Sequence, residues 1–424
     1  MAPPTKEFSI LPPVQGRFRV PVSPKEAFRL ILKNTRLLRA ETVPLAESEG
    51  RVVAGDIFAR EDLPPFDISA MDGFAVRARD FSRTSPQTSV SLRVGETLRA
   101  GALSSVKLRS GQAFRIMTGA PVPKGADAVV MKELTSEDGD GCVNILRVPR
   151  RGQHIRRYGE DVRRGELILN AGTLIRPYEV ALLAAQGIKK IHAIARPRVA
   201  LLATGDELVE VSQPLSPGKI RNSNGPALAA ALSRWGAVPS YQGIVPDDPG
   251  LMKTALRRSL ERCDMLLVSG GVSVGDFDYT KTLLEELGLK VVFWKAAIKP
   301  GKPLLFGLYR GKPVFGLPGN PISAIVCLEE FVRPAIEKMQ GRSPRYPSYH
   351  LRGSLENDYP KEPDRQQYVF CRASEGPRGF RLRVIRPQGS AMLGMAVQAN
   401  ALAVGPIGVS RLKKGMKVAF RWLK

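Results

Sequence analysis

The chain has 424 residues with 43% apolar content, enough for several domains with real cores, and no apolar run approaches the ~18 residues that a membrane span needs. The formal net charge of +24 suits an anionic partner, but the basic residues are dispersed and aromatics make up only 7%, which argues against specific nucleic-acid binding through a basic tract or a base-stacking platform. Three histidines (His154, His192, His350) argue against a His-based zinc site or a Ser-His-Asp triad, and four scattered cysteines (Cys142, Cys263, Cys327, Cys371) without C-x-x-C spacing read as reduced thiols of a cytoplasmic protein.

In chain order, residues 1–16 read as a disordered, Pro-rich leader without the apolar core of an export signal. Residues 24–38 carry apolar side chains at helical spacing, with Ser23 as N-cap and Pro24 at the first position. Residues 43–59 are expected to continue as a helical or mixed segment, broken at Leu63-Pro-Pro-Phe66. From 65 to 152, short β-like runs alternate with Gly and Pro (89–94, 113–117, 128–131), the pattern of a small inserted β lobe. Residues 177–186 read as a helix ended by Gly187, and 188–195 as a strand. The segments 17–64 and 153–196 are grouped as an N-terminal linking domain.

From Pro197 the rhythm becomes α/β. Strands are expected at 199–203, 237–245, 265–268, 290–297, 304–308 and 312–316, with helices at 226–235, 251–262, 278–287 and 322–339. Such alternation implies right-handed crossovers and a parallel sheet over 197–341. Residues 342–424 return to short strands (348–355, 367–373, 380–386, 401–404, 416–422) and read as a barrel-like C-terminal β domain.

The chemistry gathers at the strand ends of the α/β segment, where open parallel sheets bind ligands. The run 265–281 is strand, glycine turn and helix start. Its glycines (Gly270, Gly271, Gly275) let backbone N–H groups approach an anion, and Ser269, Ser273 and Thr280 add hydroxyls. It is neither a Walker A loop nor a G-x-G-x-x-G turn. Asp276 and Asp278 suit a phosphate that arrives with a divalent cation. Asp206 and Glu207 follow one strand, Asp247 and Asp248 another. Each pair alone serves equally well as a cap or surface turn, whereas three pairs at one sheet edge point to a site. Lys295, Lys299 and Lys302 bring cations to the same end. Asn320 and Pro321 form a second helix start, which good capping alone would explain.

With these motifs in place the chain resembles the molybdopterin molybdenumtransferase family (MoeA-type proteins and the E domain of gephyrin) over residues 17–424. The resemblance rests on Leu63-Pro-Pro-Phe-Asp67 with Ser69-Ala-Met-Asp-Gly73, Arg115-Ile-Met-Thr-Gly-Ala120, Gly125-Ala-Asp-Ala-Val-Val130, Thr204-Gly-Asp-Glu-Leu208, Ser269-Gly-Gly-Val-Ser-Val-Gly275, Lys299-Pro-Gly-Lys-Pro303 and Gly316-Leu-Pro-Gly-Asn-Pro321. It implies insertion of molybdate into adenylylated molybdopterin with release of AMP, by a Mg²⁺-dependent homodimer whose site is shared between subunits. It further implies contacts with the adenylyltransferase of the pathway and with molybdoenzymes. By motif match, Asp72, Thr118, Glu207, Asp247 and Asp278 are the catalytic candidates, with Asp247, Asp278 and Glu207 as metal ligands. Lys295, Lys299, Lys302, Pro318, Asn320 and Pro321 would join the glycine turn in holding substrate. Ile68, Phe74 and Gly394 depart from the family pattern, which usually has Asn, Tyr and Ser there. A molybdopterin adenylyltransferase shares the α/β domain but has no need of the flanking lobes. A non-catalytic cofactor-binding scaffold would be expected to have lost the carboxylates, which are intact.

Overall fold

In a computed structural model, which describes residues 20–82, 89–137, 139–271, 279–346 and 349–423, the chain divides into two units. One comprises the residues up to Thr42, Gly50–Val52 and His192–Lys424, and the other Val43–Glu49 and Val53–Ile191.

The first unit is built on a six-stranded sheet whose strands are β1 (Arg198–Thr204), β2 (Val238–Val245), β3 (Met265–Ser269), β4 (Lys290–Trp294), β5 (Leu305–Tyr309) and β6 (Lys312–Leu317), in the order β2-β1-β3-β6-β5-β4. The four strands β2, β1, β3 and β6 are parallel, as the alternation of strands and helices predicts. β5 is antiparallel to both its neighbours, β6 and β4, so the sheet is mixed. The reason is local. Only Arg310 and Gly311 separate β5 from β6, both at positive φ (48° and 81°), and so short a connection closes a hairpin rather than a crossover.

Successive residues of β1 and β3 serve opposite faces. Val199, Leu201, Met265 and Leu267 pack on one side with Leu228 and Leu232 of the helix Asn224–Arg234, and with the helical run from Pro321 to Met339. Ala200, Leu202, Leu266 and Val268 pack on the other with Met252, Leu256 and Leu260 of Pro249–Arg262 and Leu283 and Leu284 of Tyr279–Glu286. Each such leucine, fully buried, contributes about 1.5–3 kcal/mol. A sheet covered on both faces leaves only its ends for a ligand. The run expected as one helix over 322–339 is interrupted by a π-helical turn, Leu328–Val332.

The first helix, Pro24–Asn34, starts as predicted, with Ser23 Oγ accepting from the Glu26 N–H at 3.2 Å, and buries Ala27 and Ile31 in the core of this unit. The C-terminal strands Gln366–Gly376, Gly379–Val384, Leu351–Leu355, Lys417–Trp422 and Ala401–Gly405 pair in that order, and the last pairs back with the first, closing a barrel. The short strand Ile298–Lys299, which leaves the α/β layer, adds to the barrel in parallel at Gln366 and Gln367. A helix absent from the sequence expectations, Leu393–Gln398, lies between two barrel strands.

In the second unit a six-stranded sheet runs Ala128–Met131, Gly73–Val76, Gln112–Ile116, Val90–Leu98, Cys142–Ile145, Thr135–Glu137. Phe74, one of the departures from the family pattern, is fully buried in its core. Helix Pro177–Ala185 ends where Gly187 takes φ +66°. Of the helical or mixed segment expected over 43–59, the mixed form is found. The end of strand Ala40–Pro44, a 3₁₀ turn, Leu45–Glu47, β-bridges at Val52 and Val53 and the two-residue strand Ile57–Phe58 form there, and Pro44, Gly50 and Gly55 disfavour an α-helix. No helix among the described residues is long and apolar enough to cross a membrane.

Candidate active site

Three adjacent strands end at one edge of the sheet. Thr204 at the end of β1 lies opposite Val245 at the end of β2, so the segments leaving the two strands are neighbours. The Asp247 N–H donates to Asp206 Oδ1 at 3.1 Å and the Asp206 N–H to Asp247 Oδ2 at 3.4 Å. Asp206 is thus the carboxylate that meets Asp247. Glu207, expected as a metal ligand, lies with its carboxylate close over Gly205, where an added Cβ would lie 2.4 Å from Glu207 Oε2. Asp248 is taken up by structure, accepting from the Leu251 N–H at 2.7 Å as the N-cap of Pro249–Arg262. Asp276, Asp278, Ser273 and Gly275 lie outside the described residues.

At the end of β3 the turn demands glycine. Gly270 and Gly271 have φ of +97° and +61°, and a Cβ on them would meet Thr204 O at 2.6 Å and Thr280 Oγ1 at 2.4 Å. Ser269 is buried, its Oγ accepting from Asn224 Nδ2 at 2.7 Å, and the same amide donates to Gly319 O at 2.8 Å. This bond ties the β3 turn to the Gly316-Leu-Pro-Gly-Asn-Pro321 turn after β6. Thr204 Oγ1 and Asn224 Oδ1, beside the glycines, are buried without a hydrogen-bond partner among the described residues, in contrast to most buried polar groups.

The second turn opens onto a cleft of about 340 Å³ between the α/β layer and the barrel. Its α/β wall carries Lys299, Lys302, Pro318, Asn320 and Ser323, and its barrel wall Tyr359, Arg365, Gln367 and Ser390. The backbone pairing of Lys299 with Gln367 holds the two walls together. Asn320 occupies the N-cap position but makes no capping bond with its side chain. Its Nδ2 donates to Ser390 Oγ at 3.1 Å, and Ser390 O accepts the Ile322 N–H at 2.9 Å. Pro321 is the first residue of Pro321–Cys327.

Arg365 and Ser390 are not among the residues that the sequence singles out. They belong to the β domain, far along the chain from the lysines. The one available signal was the charged turn Lys361-Glu-Pro-Asp-Arg365. Lys295, by contrast, is not in the cleft wall. It holds φ +85°, unusual for a residue with a side chain, and its Nζ lies 4.4 Å from the centre of the Trp294 ring.

In the second unit, Asp72 precedes Gly73–Val76 and Thr118 follows Gln112–Ile116, two antiparallel neighbours with Gly73 opposite Ile116. The Asp72 carboxylate accepts from Thr118 N–H at 2.6 Å and Thr118 Oγ1 at 2.7 Å. These donors, backbone first, together with the charge of Lys132, hold its carboxyl below the ordinary value. Gly73 admits no side chain, since a Cβ would meet Val130 O at 1.9 Å. Thr118→Val keeps the backbone donor and removes the hydroxyl, so Asp72 is expected to titrate at higher pH. Carboxyl-carbon NMR of the labelled protein reads this directly, and an unmoved titration would assign the whole effect to the peptide N–H.

Among the described residues no group of three or more His, Cys, Asp or Glu could hold a metal ion. Asp206 and Asp247 offer oxygen ligands only, the donor type that suits a hard cation rather than a soft one.

Comparison with known proteins matches residues 22–187 to the MoeA N-terminal region (domain I and II), residues 200–338 to a probable molybdopterin binding domain, and residues 352–422 to the MoeA C-terminal region (domain IV). The molybdopterin molybdenumtransferase of Bacillus subtilis is 36% identical over 404 residues, 94% of each chain. That of Haemophilus influenzae is 40% identical over 304 residues, 72% of this chain and 74% of the relative. The crystal structure of the molybdopterin biosynthesis moeA protein from Pyrococcus horikoshii OT3 superposes with a TM-score of 0.80 at 32% identity, covering 95% of this chain and all of that one.

Proposed function

The chain belongs to the molybdopterin molybdenumtransferase family, and from that premise we propose that it inserts molybdate into adenylylated molybdopterin and releases AMP. The observation that carries this reading is the junction at Gly319. The glycine turn after β3 and the cationic cleft are joined there, since an added Cβ on Gly319 would lie 3.8 Å from Gly270 Cα while Pro318 and Asn320 line the cleft. This junction supports a reading in which a pterin phosphate bound on one side meets an oxyanion bound on the other.

Each group has a defined task in this reading. The N–H groups of the glycine turn receive the phosphate, where a helix start adds its positive dipole end. Lys299, Lys302 and Arg365 hold molybdate, Arg365 through a planar fork and the lysines as point charges. Asp247, with Asp278, would hold Mg²⁺, which neutralises the pyrophosphate joining pterin and AMP when bound. Asp206 orients Asp247 by accepting from its peptide N–H. No protein nucleophile is needed, which suits a chain whose buried thiols, Cys327 and Cys371, are pushed well up by burial and stay protonated. Action as a homodimer in a reducing cytoplasm completes the reading.

The test is AMP release from adenylylated molybdopterin by purified protein with Mg²⁺, with and without molybdate. Release only in the presence of molybdate is expected. Release indifferent to molybdate, or binding without release, would overturn the assignment. Molecular mass in solution checks the dimer.

A further inference from the structure

The cleft has cations to spare for an oxyanion, but two of them are already held by a carboxylate. Glu362 Oε1 lies 2.9 Å from Lys299 Nζ, and Glu362 Oε2 pairs with the Arg365 guanidinium. Lys299 and Arg365 line the cleft from opposite walls, whereas Glu362 stands at its rim, about half exposed. Lys302, the third cation, has no carboxylate partner among the described residues. Asp364 also reaches Arg365, at 3.3 Å, but not Lys299.

The rim segment is held rigidly at its backbone. Lys361, itself buried, turns its ammonium away from the cleft and donates to the carbonyls of Glu362 at 2.8 Å, Pro406 at 2.9 Å and Val409 at 2.7 Å. The Lys361 N–H donates to Ser410 O, and the Gly408 N–H to Pro363 O. The chain on both sides of Glu362 is therefore clamped to the barrel, while the side chain keeps the freedom of an exposed residue. A carboxylate so placed is stationed between the two walls by its backbone and can swing out by rotation about its own side-chain bonds.

We propose that Glu362 is a built-in competitor for the oxyanion. Its carboxylate satisfies Lys299 and Arg365 and must be displaced when a tetrahedral dianion enters between the walls, so that it sets the affinity of the cleft and spares two like charges from facing each other unpaired. The proposal rests on the reading of this cleft as the molybdate site. Partly exposed ion pairs are individually weak, so removing both is expected to tighten oxyanion binding only about two- to tenfold.

The experiment is equilibrium dialysis of the full chain against inorganic molybdate, with bound metal measured by elemental analysis, for wild type, Glu362→Gln, Glu362→Asp and Arg365→Ala. Glu362→Gln is expected to bind molybdate two- to tenfold more tightly at an unchanged thermal unfolding midpoint. Glu362→Asp, one methylene too short to reach both walls, should fall between it and wild type. A residue that merely kept the loop in shape would weaken binding when changed, not tighten it. If Glu362→Gln binds like wild type or more weakly while Arg365→Ala loses binding, the competitor role is overturned and the cleft stands. If Arg365→Ala binds as wild type does, the cleft reading falls and the competitor with it.

Discussion

Replacing Asp247 by alanine is expected to reduce molybdate-dependent AMP release by about two to three orders of magnitude, the usual loss when one preorganised charge-stabilising group is removed from a reacting centre. Asp247 lies just beyond the buried end of β2, where its carboxylate faces solvent and Asp206 rather than the core. Truncation therefore removes no core packing, and urea unfolding should stay within about 1 kcal/mol of wild type. Asp247→Asn separates charge from shape. It keeps an oxygen that can accept the Asp206 N–H but carries no charge to offer a cation, and it should be nearly as inactive as the alanine variant. Asp206→Ala acts one step removed. It deletes the acceptor that orients the Asp247 peptide, and a smaller loss is expected, on the order of tenfold, as for outer partners of a site. Full activity in both Asp247 variants would remove the strand ends from the site altogether.

Much of this site could be read from the chain because its parts lie at ends of elements. A strand that stops at Thr204 or Val245 is visible in a run of apolar residues, and parallel pairing then makes neighbours of the loops beyond the two strand ends. Residues paired through tertiary closure left no such trace. Glu362 reaches Lys299, and Arg365 and Ser390 share its cleft, where Ile298–Lys299 joins the barrel at Gln366 and Gln367, a parallel contact between distant parts of the chain that no local pattern announces. The choice between Asp206 and Glu207 was equally hidden. Both follow β1, and only the structure shows Asp206 exchanging hydrogen bonds with Asp247 while the Glu207 carboxylate lies over Gly205. The antiparallel strand β5 is hidden for a different reason. Arg310-Gly311 is a hairpin signal, yet it sits inside an α/β rhythm that predicts parallel strands throughout.

Arg421→Ala is expected to destabilise the chain by about 3–5 kcal/mol, the loss typical when one partner of a buried ion pair is removed. Arg421, on the barrel strand Lys417–Trp422, pairs with Glu329 and lies 3.3 Å from Glu330, both on the π-helical turn Leu328–Val332. Glu330 is almost fully buried and also accepts from Tyr349 OH at 2.7 Å. Burial pushes its carboxyl up, Arg421 and the Tyr349 hydroxyl pull it back, and Glu329 pushes it up again. The upward push already prevails in the wild type and grows without Arg421, and a buried carboxyl with a raised folded pKa contributes stability that is present below its unfolded value and lost as pH rises through the folded one. The deficit of Arg421→Ala relative to wild type should accordingly be small near pH 4.5 and largest near neutrality, as read by urea unfolding at the two pH values. Glu330→Gln in the Arg421→Ala background removes the orphaned charge while leaving an oxygen for Tyr349, and should recover much of the loss at neutral pH. Arg421 also lies 5.6 Å from the centre of the Tyr349 ring. Equal deficits at both pH values, with no recovery in the double variant, would therefore shift its role from charge pairing to packing against that ring.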